Sequence, residues 1–290
     1  MRQFLSLGTA GTGGIYYPLG GAITSLLSVD DSLRQYTAEV TGGSVENVNR
    51  LRENQIDLGF ALSVSIFEAH HGGEDYGPPF EELRVLAPLY ANMVHVLVPR
   101  NSTATSLADL AGARISVGAA GSGTEEVSRQ LLGVYGLTYD DVEARFLTFS
   151  ESSASLRDEA IDAAIISVGY PAAAVLEATT TGGARLLSFE AERVAALQER
   201  YPYYSPGTIP VGAYSGMEED VATVAMMNWI VASESLDQDV VVRLLDLLRD
   251  RKPELEQVHE MATQIDLSVL SEAPIPLHPA ARGWLEGAGG

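Results

Sequence analysis

The fold of this chain is indicated by residues 3–14, which read QFLSLGTAGTGG. An apolar run at Gln3 to Leu7 is followed by a glycine-rich turn, and a helical pattern then extends from Gly14 to Leu27. A short apolar run bounded by turn residues predicts a strand. A strand, a glycine turn and a helix in this order are typical of an α/β fold with a largely parallel sheet.

The same alternation continues along the chain in two series. The first predicts strands at 36–40 and 57–61 and then one or two long strands over 84–98, whose apolar content suits a sheet buried on both faces. The second starts after Pro99 and predicts strands at 114–117, 145–148 and 163–167, each followed by a helix. Further elements are predicted as a strand near 209–213, an apolar run at 222–232, helices at 238–249 and 254–261, and an extended surface segment at 273–279.

The second series is inserted into the first, which predicts two lobes joined by two crossings near 98–100 and 208–212. Lobe 1 is expected to comprise residues 1–98 and 209–290, and lobe 2 residues 99–208. Ligands are usually held in a cleft between lobes, and hinge closure around the ligand is the associated motion.

Charge and composition exclude several classes of function. The formal net charge of −21 argues against a nucleic-acid partner or an anionic membrane. The chain has no cysteine, which excludes disulfide scaffolds, thiolate zinc sites and cysteine nucleophiles. Its single lysine, Lys252, precedes Pro253 in a predicted connection between helices, so a Walker A lysine and a Schiff-base lysine have no candidate.

The sequence also bears on location. No stretch approaches the roughly 18 to 20 uninterrupted apolar residues of a membrane span. Met1 and Arg2 run straight into the first predicted strand, as expected of the mature domain of an exported protein given a new start codon. A cytosolic protein is the alternative.

Glycine-rich turns follow strands and open helices at 8–14, 41–44 and 118–124. Backbone N–H groups in such a turn can converge on an anion, assisted by the helix dipole. The first turn does not match GxGxxG, because Tyr16 stands where the last glycine would be. A tight turn that needs glycine, or a capping box formed by Ser122 and Glu125, would explain these residues without a ligand.

Tyrosines accompany these turns at Tyr16, Tyr17, Tyr90 and Tyr170. A tyrosine offers an apolar face and a hydroxyl, which suits a ligand with a carbon skeleton and polar groups, although packing at a sheet edge would also explain such residues.

Catalytic groups are sparse. The five histidines lack H-x-x-x-H and H-E-x-x-H spacing, and His70-His71 before two glycines is typical of a helix C-terminus rather than a metal site. Ser63, Ser122 and Ser167 lack a G-x-S-x-G elbow. We therefore expect a binding protein with no enzymatic activity, no cofactor and no metal.

Several blocks of sequence together resemble one known family. They are 11–21 (GTGGIYYPLGG), 41–47 (TGGSVEN), 86–90 (LAPLY), 117–124, 169–172 (GYPA), 201–210 and 276–279 (PLHP). Their order and coverage resemble the TAXI group of TRAP transporter solute receptors. The resemblance implies a two-lobed periplasmic-binding-protein fold, type II-like, with two hinge crossings and the ligand in the inter-lobe cleft. It further implies export to the periplasm, a glutamate-like or dicarboxylate solute, and delivery to an integral membrane TRAP permease.

The ligand-binding residues expected from the resemblance and from the tyrosine pattern are Thr12, Gly13, Gly14, Tyr16, Tyr17, Ser44, Ser63, Tyr90, Ser122, Gly123, Thr124, Gly169 and Tyr170. Main-chain N–H groups and the hydroxyls of Ser122 and Thr124 would hold a carboxylate at a helix N-terminus. Family members often have Gln-Ser-Asp at 62–64 and histidine at 170, where this chain has Leu-Ser-Val and tyrosine. A smaller or less polar ligand would follow.

Three other functions fit the same residues. The same fold serves the solute receptors of ABC importers and sensor kinases. It also occurs in enzymes of pyrimidine synthesis and of tetrapyrrole type, although the latter need a cysteine-tethered cofactor that this chain cannot supply. A cytosolic ligand-responsive regulator is the third alternative, but no helix-turn-helix domain or basic face precedes the lobes.

Overall fold

The computed structural model describes residues 3–181 and 183–288, and the chain divides into two compact units. Unit 1 comprises Met1–Tyr90 and Met227–Gly290, and unit 2 comprises Ala91–Met226. Both points of division lie inside long strands. The lobe boundaries predicted from the sequence, after residues 98 and 208, do not coincide with these points and stay a prediction about which segments move together.

The elements alternate between strands and helices over most of the chain. The strands are β1 (Gln3–Gly8), β2 (Arg34–Glu39), β3 (Leu58–Leu62), β4 (Leu83–Pro99), β5 (Arg114–Ser116), β6 (Glu143–Arg145), β7 (Ala163–Val168), β8 (Ala184–Leu186), β9 (Ser205–Ile209) and β10 (Val221–Ser233). The helices are α1 (Tyr16–Asp30), α2 (Ser44–Arg52), α3 (Ser63–His71), α4 (Gly123–Val134), α5 (Phe149–Arg157), α6 (Ala173–Thr180), α7 (Ala191–Arg200), α8 (Gln238–Asp250), α9 (Lys252–Val258) and α10 (Pro279–Ala288). Short 3-10 turns occupy Leu107–Leu110, Glu260–Gln264 and Leu267–Glu272.

In unit 1 the strand order is β2-β1-β3-β10. The first three strands are parallel, with Leu7 opposite Ala38 in β2 and opposite Leu58 in β3, and β10 runs antiparallel to β3. Every residue of β3 is buried, as expected of a strand covered on both faces. Because the three parallel strands each lead into a helix, the starts of α1, α2 and α3 lie at one edge of this sheet.

In unit 2 the strand order is β4-β7-β5-β6. β5 is parallel to β6 and β7, while β4 runs antiparallel to β7 and to β8, and β9 pairs with β10. All six residues of β7 are buried. The carboxyl ends of β5, β6 and β7 lead into α4, α5 and α6, so this unit repeats the arrangement of unit 1.

The C-terminal third departs from the sequence prediction at three places. The strand predicted at 209–213 is wrong, because β9 ends at Ile209 and a turn with Gly212 and Gly216 at positive φ follows. The segment 273–279 does not lie wholly on the surface, since Ile275 and His278 are buried and Leu277 bridges to Val85. α10 was not predicted, since two glycines interrupt its helical pattern.

Within residues 3–181 and 183–288, the structure contains no helix that combines the length and the apolar character needed to cross a membrane.

Candidate functional site

Three helices of unit 1 begin where parallel strands end, and their N-termini are not capped by side chains. The N-cap residues of α1, α2 and α3 are Ile15, Gly43 and Leu62, and within the described chain none of them makes a side-chain capping hydrogen bond. The first N–H groups of a helix have no partner inside the helix, and they carry the positive end of its dipole. The starts of α1 and α3 are therefore suited to an anion, whereas at α2 the Glu46 carboxylate already accepts the N–H of Gly42 at 2.7 Å.

The turn before α1 holds the predicted residues Thr12, Gly13 and Gly14. Thr12 is exposed, and the two glycines are half-buried. Tyr17, in the first turn of the helix, is 38% exposed, whereas Tyr16 beside it is buried. The turn and Tyr17 are open to a solute, and Tyr16 belongs to the packed layer beneath them.

Four side chains of unit 1 form what we call the tyrosine cluster: Tyr16, Ser44, Tyr90 and Asn228. The Tyr16 hydroxyl donates to Asn228 Oδ1, and Asn228 Nδ2 donates to the carbonyl of Tyr90 at 2.8 Å. Ser44 hydrogen-bonds the Tyr16 side chain, and its Oγ accepts from the N–H of Leu62 at 3.1 Å. The structure thus brings together three of the residues predicted from the sequence, and it adds Asn228.

The cluster is uncharged. Burial raises the pKa of Tyr16 above its ordinary value, and the hydrogen bond from Ser44 offsets only part of that rise. Burial also raises the pKa of Tyr90, and the neighbouring Tyr16 raises it further. Both phenols therefore keep their protons at neutral pH, and Tyr16 acts as a neutral hydrogen-bond donor to Asn228.

Ser63 has a structural partner on each side. Its Oγ donates to the carbonyl of Met227 at 3.1 Å and accepts from Trp229 Nε1 at 2.9 Å. Trp229 is buried, so this hydroxyl satisfies an indole N–H in the core. Ser63 is the first residue of α3, so its backbone N–H, rather than its hydroxyl, lies at the edge of the sheet.

In unit 2 the turn 118–124 wraps closely around the start of α4. Ser122 is the N-cap and accepts from the N–H of Glu125 at 3.2 Å, so half of the capping box predicted from the sequence is present. Gly118 has φ +99°, and a Cβ there would lie 2.8 Å from Thr124 Cβ and 2.9 Å from Ser122 Oγ. Only glycine fits this position. The hydroxyl proton of Ser122 stays available for a further acceptor, because Oγ acts as the acceptor in the cap.

Gly169 and Tyr170 follow β7, the neighbour of β5 in the sheet. Gly169 is buried and Tyr170 half-buried. The chain then turns into α6, whose N-cap residue Ala172 donates its N–H to the hydroxyl of Tyr214 at 3.3 Å. Ser122, Gly123 and Thr124 on one side, and Gly169 and Tyr170 on the other, thus stand at the carboxyl ends of adjacent parallel strands.

Asn228 and Tyr214 were missed at the level of sequence. Asn228 is flanked by apolar residues in β10, and a polar side chain buried in a strand must find hydrogen-bond partners, which is a usable signal. Tyr214 lies in a turn between β9 and β10, and nothing in its neighbours indicates a contact with the start of α6.

Metal binding finds no support in the part of the chain that the structure describes, where no group of three or more histidine, aspartate and glutamate side chains is arranged to hold an ion. His70 and His71 end α3, and Gly72 adopts the left-handed C-cap conformation that follows many helices.

Comparison with known proteins gives a family and a fold. The model of the NMT1-like family matches residues 7–289. The alkanesulfonate-binding protein SsuA from Xanthomonas axonopodis pv. citri, bound to MOPS, is 17% identical, with 94% of this chain and 83% of that chain covered and a TM-score of 0.51. The aliphatic sulphonate binding protein SsuA from Escherichia coli is 14% identical, with 99% and 91% covered and a TM-score of 0.50. The periplasmic binding protein BugD is 10% identical, with 99% and 95% covered and a TM-score of 0.58.

These likenesses establish a two-lobed solute-binding fold. The predicted membership in the TAXI group of TRAP receptors is wrong, because the matching family is the NMT1-like family and the similar structures include SsuA proteins. The blocks quoted for that resemblance are mostly glycine turns and proline breaks, which this fold needs wherever a strand passes into a helix. Such blocks do not separate one group of two-lobed receptors from another. The TRAP permease depended on that resemblance, as did the glutamate-like or dicarboxylate solute, and both lose their support.

Proposed function

Since the chain belongs to the NMT1-like family and has a two-lobed solute-binding fold, we propose that it is the periplasmic solute-binding receptor of an ABC-type importer. It captures a small organic anion reversibly, and it passes the solute to the membrane permease of that importer. No chemical step is involved.

The observation that carries the proposal is the row of helix N-termini in unit 1. Three helices begin at one sheet edge without side-chain caps, and the side chains of the adjoining tyrosine cluster are all uncharged. At the starts of α1 and α3, neutral donors and helix dipoles can bind an anion without forming a fixed ion pair, so the solute can leave again when the receptor meets its permease. At α2 the Glu46 carboxylate already accepts the N–H of Gly42, so this helix start is not counted.

The anion is proposed to be a sulfonate. A sulfonate spreads its charge over three oxygens, which suits several separate N–H and hydroxyl donors better than one fixed guanidinium. The two SsuA proteins are described as alkanesulfonate- and sulphonate-binding, and the first holds MOPS, a sulfonate. Carboxylates of similar size are the comparison set in the test.

Most of the residues proposed to meet the solute stand where a strand leads into a helix, whereas Tyr90 lies inside β4 and Tyr16 is buried beneath the first turn. The full set is Thr12, Gly13, Gly14, Tyr16, Tyr17, Ser44, Ser63 and Tyr90 in unit 1, and Ser122, Gly123, Thr124, Gly169 and Tyr170 in unit 2. Ser63 contributes its backbone rather than its hydroxyl, which Met227 and Trp229 occupy.

A thermal-shift screen tests the proposal. The purified protein is heated with ethanesulfonate, 2-hydroxyethanesulfonate, MOPS, propionate, succinate and glutamate, since a ligand that binds only the native state raises the melting temperature. A rise with a sulfonate, with the solute recovered unchanged by NMR, supports a receptor. No rise with any anion, or conversion of a solute during incubation, contradicts it.

A further inference from the structure

The side chain of Asn47, in α2, lies in a notch between two strands of unit 1. Gly8 of β1 and Gly59 of β3 are direct partners in the parallel ladder. A Cβ at Gly8 would lie 2.4 Å from Asn47 Oδ1, and a Cβ at Gly59 would lie 3.2 Å from Asn47 Cβ. Because neither glycine carries a side chain, the amide of Asn47 fits against the sheet, where it is fully buried.

The amide of Asn47 hydrogen-bonds two strands and the turn that follows a third. Its Nδ2 donates to the carbonyl of Thr9 at 2.7 Å and to the carbonyl of Phe60 at 2.9 Å. Its Oδ1 accepts from the hydroxyl of Thr41 at 2.7 Å. Both amide protons therefore have partners, and the side chain links backbone that follows β1 to backbone within β3.

These hydrogen bonds lie just before the helix starts of the candidate site. Thr9 leads into the turn before α1, and Thr41 opens the turn before α2. Phe60 lies two residues before Leu62, the N-cap of α3. The N–H and the hydroxyl of Thr9 both donate to the carbonyl of Glu39, at 2.9 and 2.6 Å, which fixes the first turn further. One buried amide thus holds the starts of α1 and α3 relative to each other.

A fixed separation of these helix starts matters for an anion. N–H groups from two helices can bind one anion tightly only if they already stand in place, because ordering them during binding costs free energy. Backbone turns rich in glycine are the part of a fold least able to keep such an order by themselves. The amide of Asn47 supplies that order from below the site.

We propose that Asn47 is a positioning residue for solute binding: it does not touch the solute, but it holds the starts of α1 and α3 at the separation that the anion requires. This inference rests on the proposed solute-receptor function and adds a residue to those proposed to meet the solute. Gly8 and Gly59 belong to the same arrangement, since a side chain at Gly8 would displace the amide and one at Gly59 would crowd it.

Asn47→Ala removes the amide and leaves two buried carbonyls without their donor, so the urea midpoint of unfolding falls. Under conditions where circular dichroism shows the variant to be folded, the dissociation constant of the tightest-binding solute of the screen is expected to rise about tenfold or more. Asp31→Asn is the matched control. It changes a buried, hydrogen-bonded side chain at the C-terminal end of α1, so it lowers the midpoint and leaves the dissociation constant unchanged.

Hydrogen–deuterium exchange tests the positioning role without a solute. The N–H of Thr9 donates to the Glu39 carbonyl, and the N–H of Leu62 donates to Ser44 Oγ. Both are expected to exchange faster in Asn47→Ala, because the backbone on which they lie is no longer held, while N–H groups in the middle of α1 keep their rates. In Asp31→Asn the rates at Thr9 and Leu62 are expected to stay unchanged.

Thr41→Val is the milder variant, for use if Asn47→Ala does not fold. It keeps the branched shape of the side chain, and it removes the donor to Asn47 Oδ1 and the acceptor of the Gly43 N–H. The same changes in affinity and exchange are expected to a smaller degree.

Three results would overturn the inference. The first is an unchanged dissociation constant in Asn47→Ala, or in Thr41→Val if the former does not fold. The second is an equal rise of that constant in Asp31→Asn, which would show that any loss of stability weakens binding. The third is unchanged exchange at Thr9 and Leu62. If no anion binds the unsubstituted protein, the proposed function fails instead, and the exchange rates still decide whether Asn47 holds the two turns.

Discussion

The hydroxyl of Tyr214 lies 2.9 Å from Nε2 of His95. The other ring nitrogen, Nδ1, faces the carbonyls of Met93 and Ile166 at 3.0 and 3.3 Å, so Nδ1 carries the proton and Nε2 accepts from the tyrosine. The same hydroxyl accepts the N–H of Ala172 at the start of α6. A buried neutral imidazole in β4 thus holds the turn that carries Gly169 and Tyr170.

His95 makes the fold acid-sensitive. Burial lowers its pKa to about 4, against 6.5 for an exposed imidazole. Between these two values the unfolded chain binds the proton and the folded chain does not, so stability is present above pH 6.5 and is lost as the pH falls through 4. The loss from this group is on the order of 3 kcal/mol.

Urea unfolding at pH 7.5 and at pH 4.5 checks this. The unsubstituted protein loses more stability between the two pH values than His95→Gln does, because glutamine does not titrate. His71 is the comparison: it lies on the surface at the end of α3, and His71→Gln leaves the pH dependence in place. Equal losses of stability in His95→Gln and in the unsubstituted protein would show that His95 is not the source of the acid sensitivity.

Asp31 provides a second test, because this buried side chain is charged in the folded protein whereas His95 is neutral. Burial alone would raise the pKa of this carboxyl, but hydrogen bonds from Arg34, from the Leu33 N–H and from Tyr36 lower it to about 2. The ionised form is favoured by folding, so its stabilisation is present above pH 3.8 and is lost as the pH falls through 2.

Asp31→Asn is expected to lower the free energy of unfolding at pH 7 by about 2 kcal/mol. The control is Asp237→Asn, which removes an exposed partner of Arg34 and costs under about 1 kcal/mol. Chemical denaturation at pH 7 measures both. Equal costs for the two variants would show that the burial of Asp31 does not matter.

Gly118→Ala tests the close packing of the turn at 118–124 against the start of α4. The added Cβ meets Thr124, Ser122 and the backbone of Glu125 within 3 Å, and φ is +99°. We expect a loss of solute binding and a stability cost above the roughly 1 to 2 kcal/mol of left-handed backbone alone. Gly112→Ala, with φ +74° and open space around it, isolates that backbone cost. A loss of stability no larger than that of Gly112→Ala, with solute binding unchanged, would show that Gly118 is not closely packed against α4.

Ser122→Ala separates capping from solute binding. Loss of an N-cap costs about 1 kcal/mol. Thr148 caps α5 in the same unit through a complete capping box. Thr148→Ala is therefore the control, because it also removes an N-cap and is expected to lower stability by a similar amount. We expect titration calorimetry to show weaker solute binding only in Ser122→Ala. Equal affinities of the two variants would assign Ser122 a capping role alone.

Much of the fold follows from local pattern. The strand, glycine turn and helix at the start of the chain, and their repeat after Pro99, are short units whose periodicity is visible in sequence. The failures lie where the chain follows long-range packing. α10 contains two glycines and is held by Trp284, which donates to Asp246 of α8, and His278 is buried by contacts with residues more than forty positions away.

The candidate site was foreseen in part. The glycine turns indicate the edges of the sheets, and the tyrosines beside them are evident in the sequence, so Tyr16, Ser44 and Ser122 could be predicted. The sequence does not show which hydroxyls already have hydrogen-bond partners inside the protein. The partners of Ser63 and Tyr16 come from β10, more than 160 residues away. The class of solute could not be predicted for a different reason: glycine turns report a backbone geometry and carry no information on which oxyanion they hold.

Reversible capture of an anion is tested most directly by calorimetric titration of the purified protein with ethanesulfonate and MOPS, with propionate and ethylammonium in parallel. We expect one site per chain, a dissociation constant in the micromolar range or tighter for a sulfonate, weaker binding of propionate, and no heat with ethylammonium. Two results would contradict reversible anion capture. One is saturable binding of ethylammonium, and the other is no binding of any of the anions at millimolar concentration.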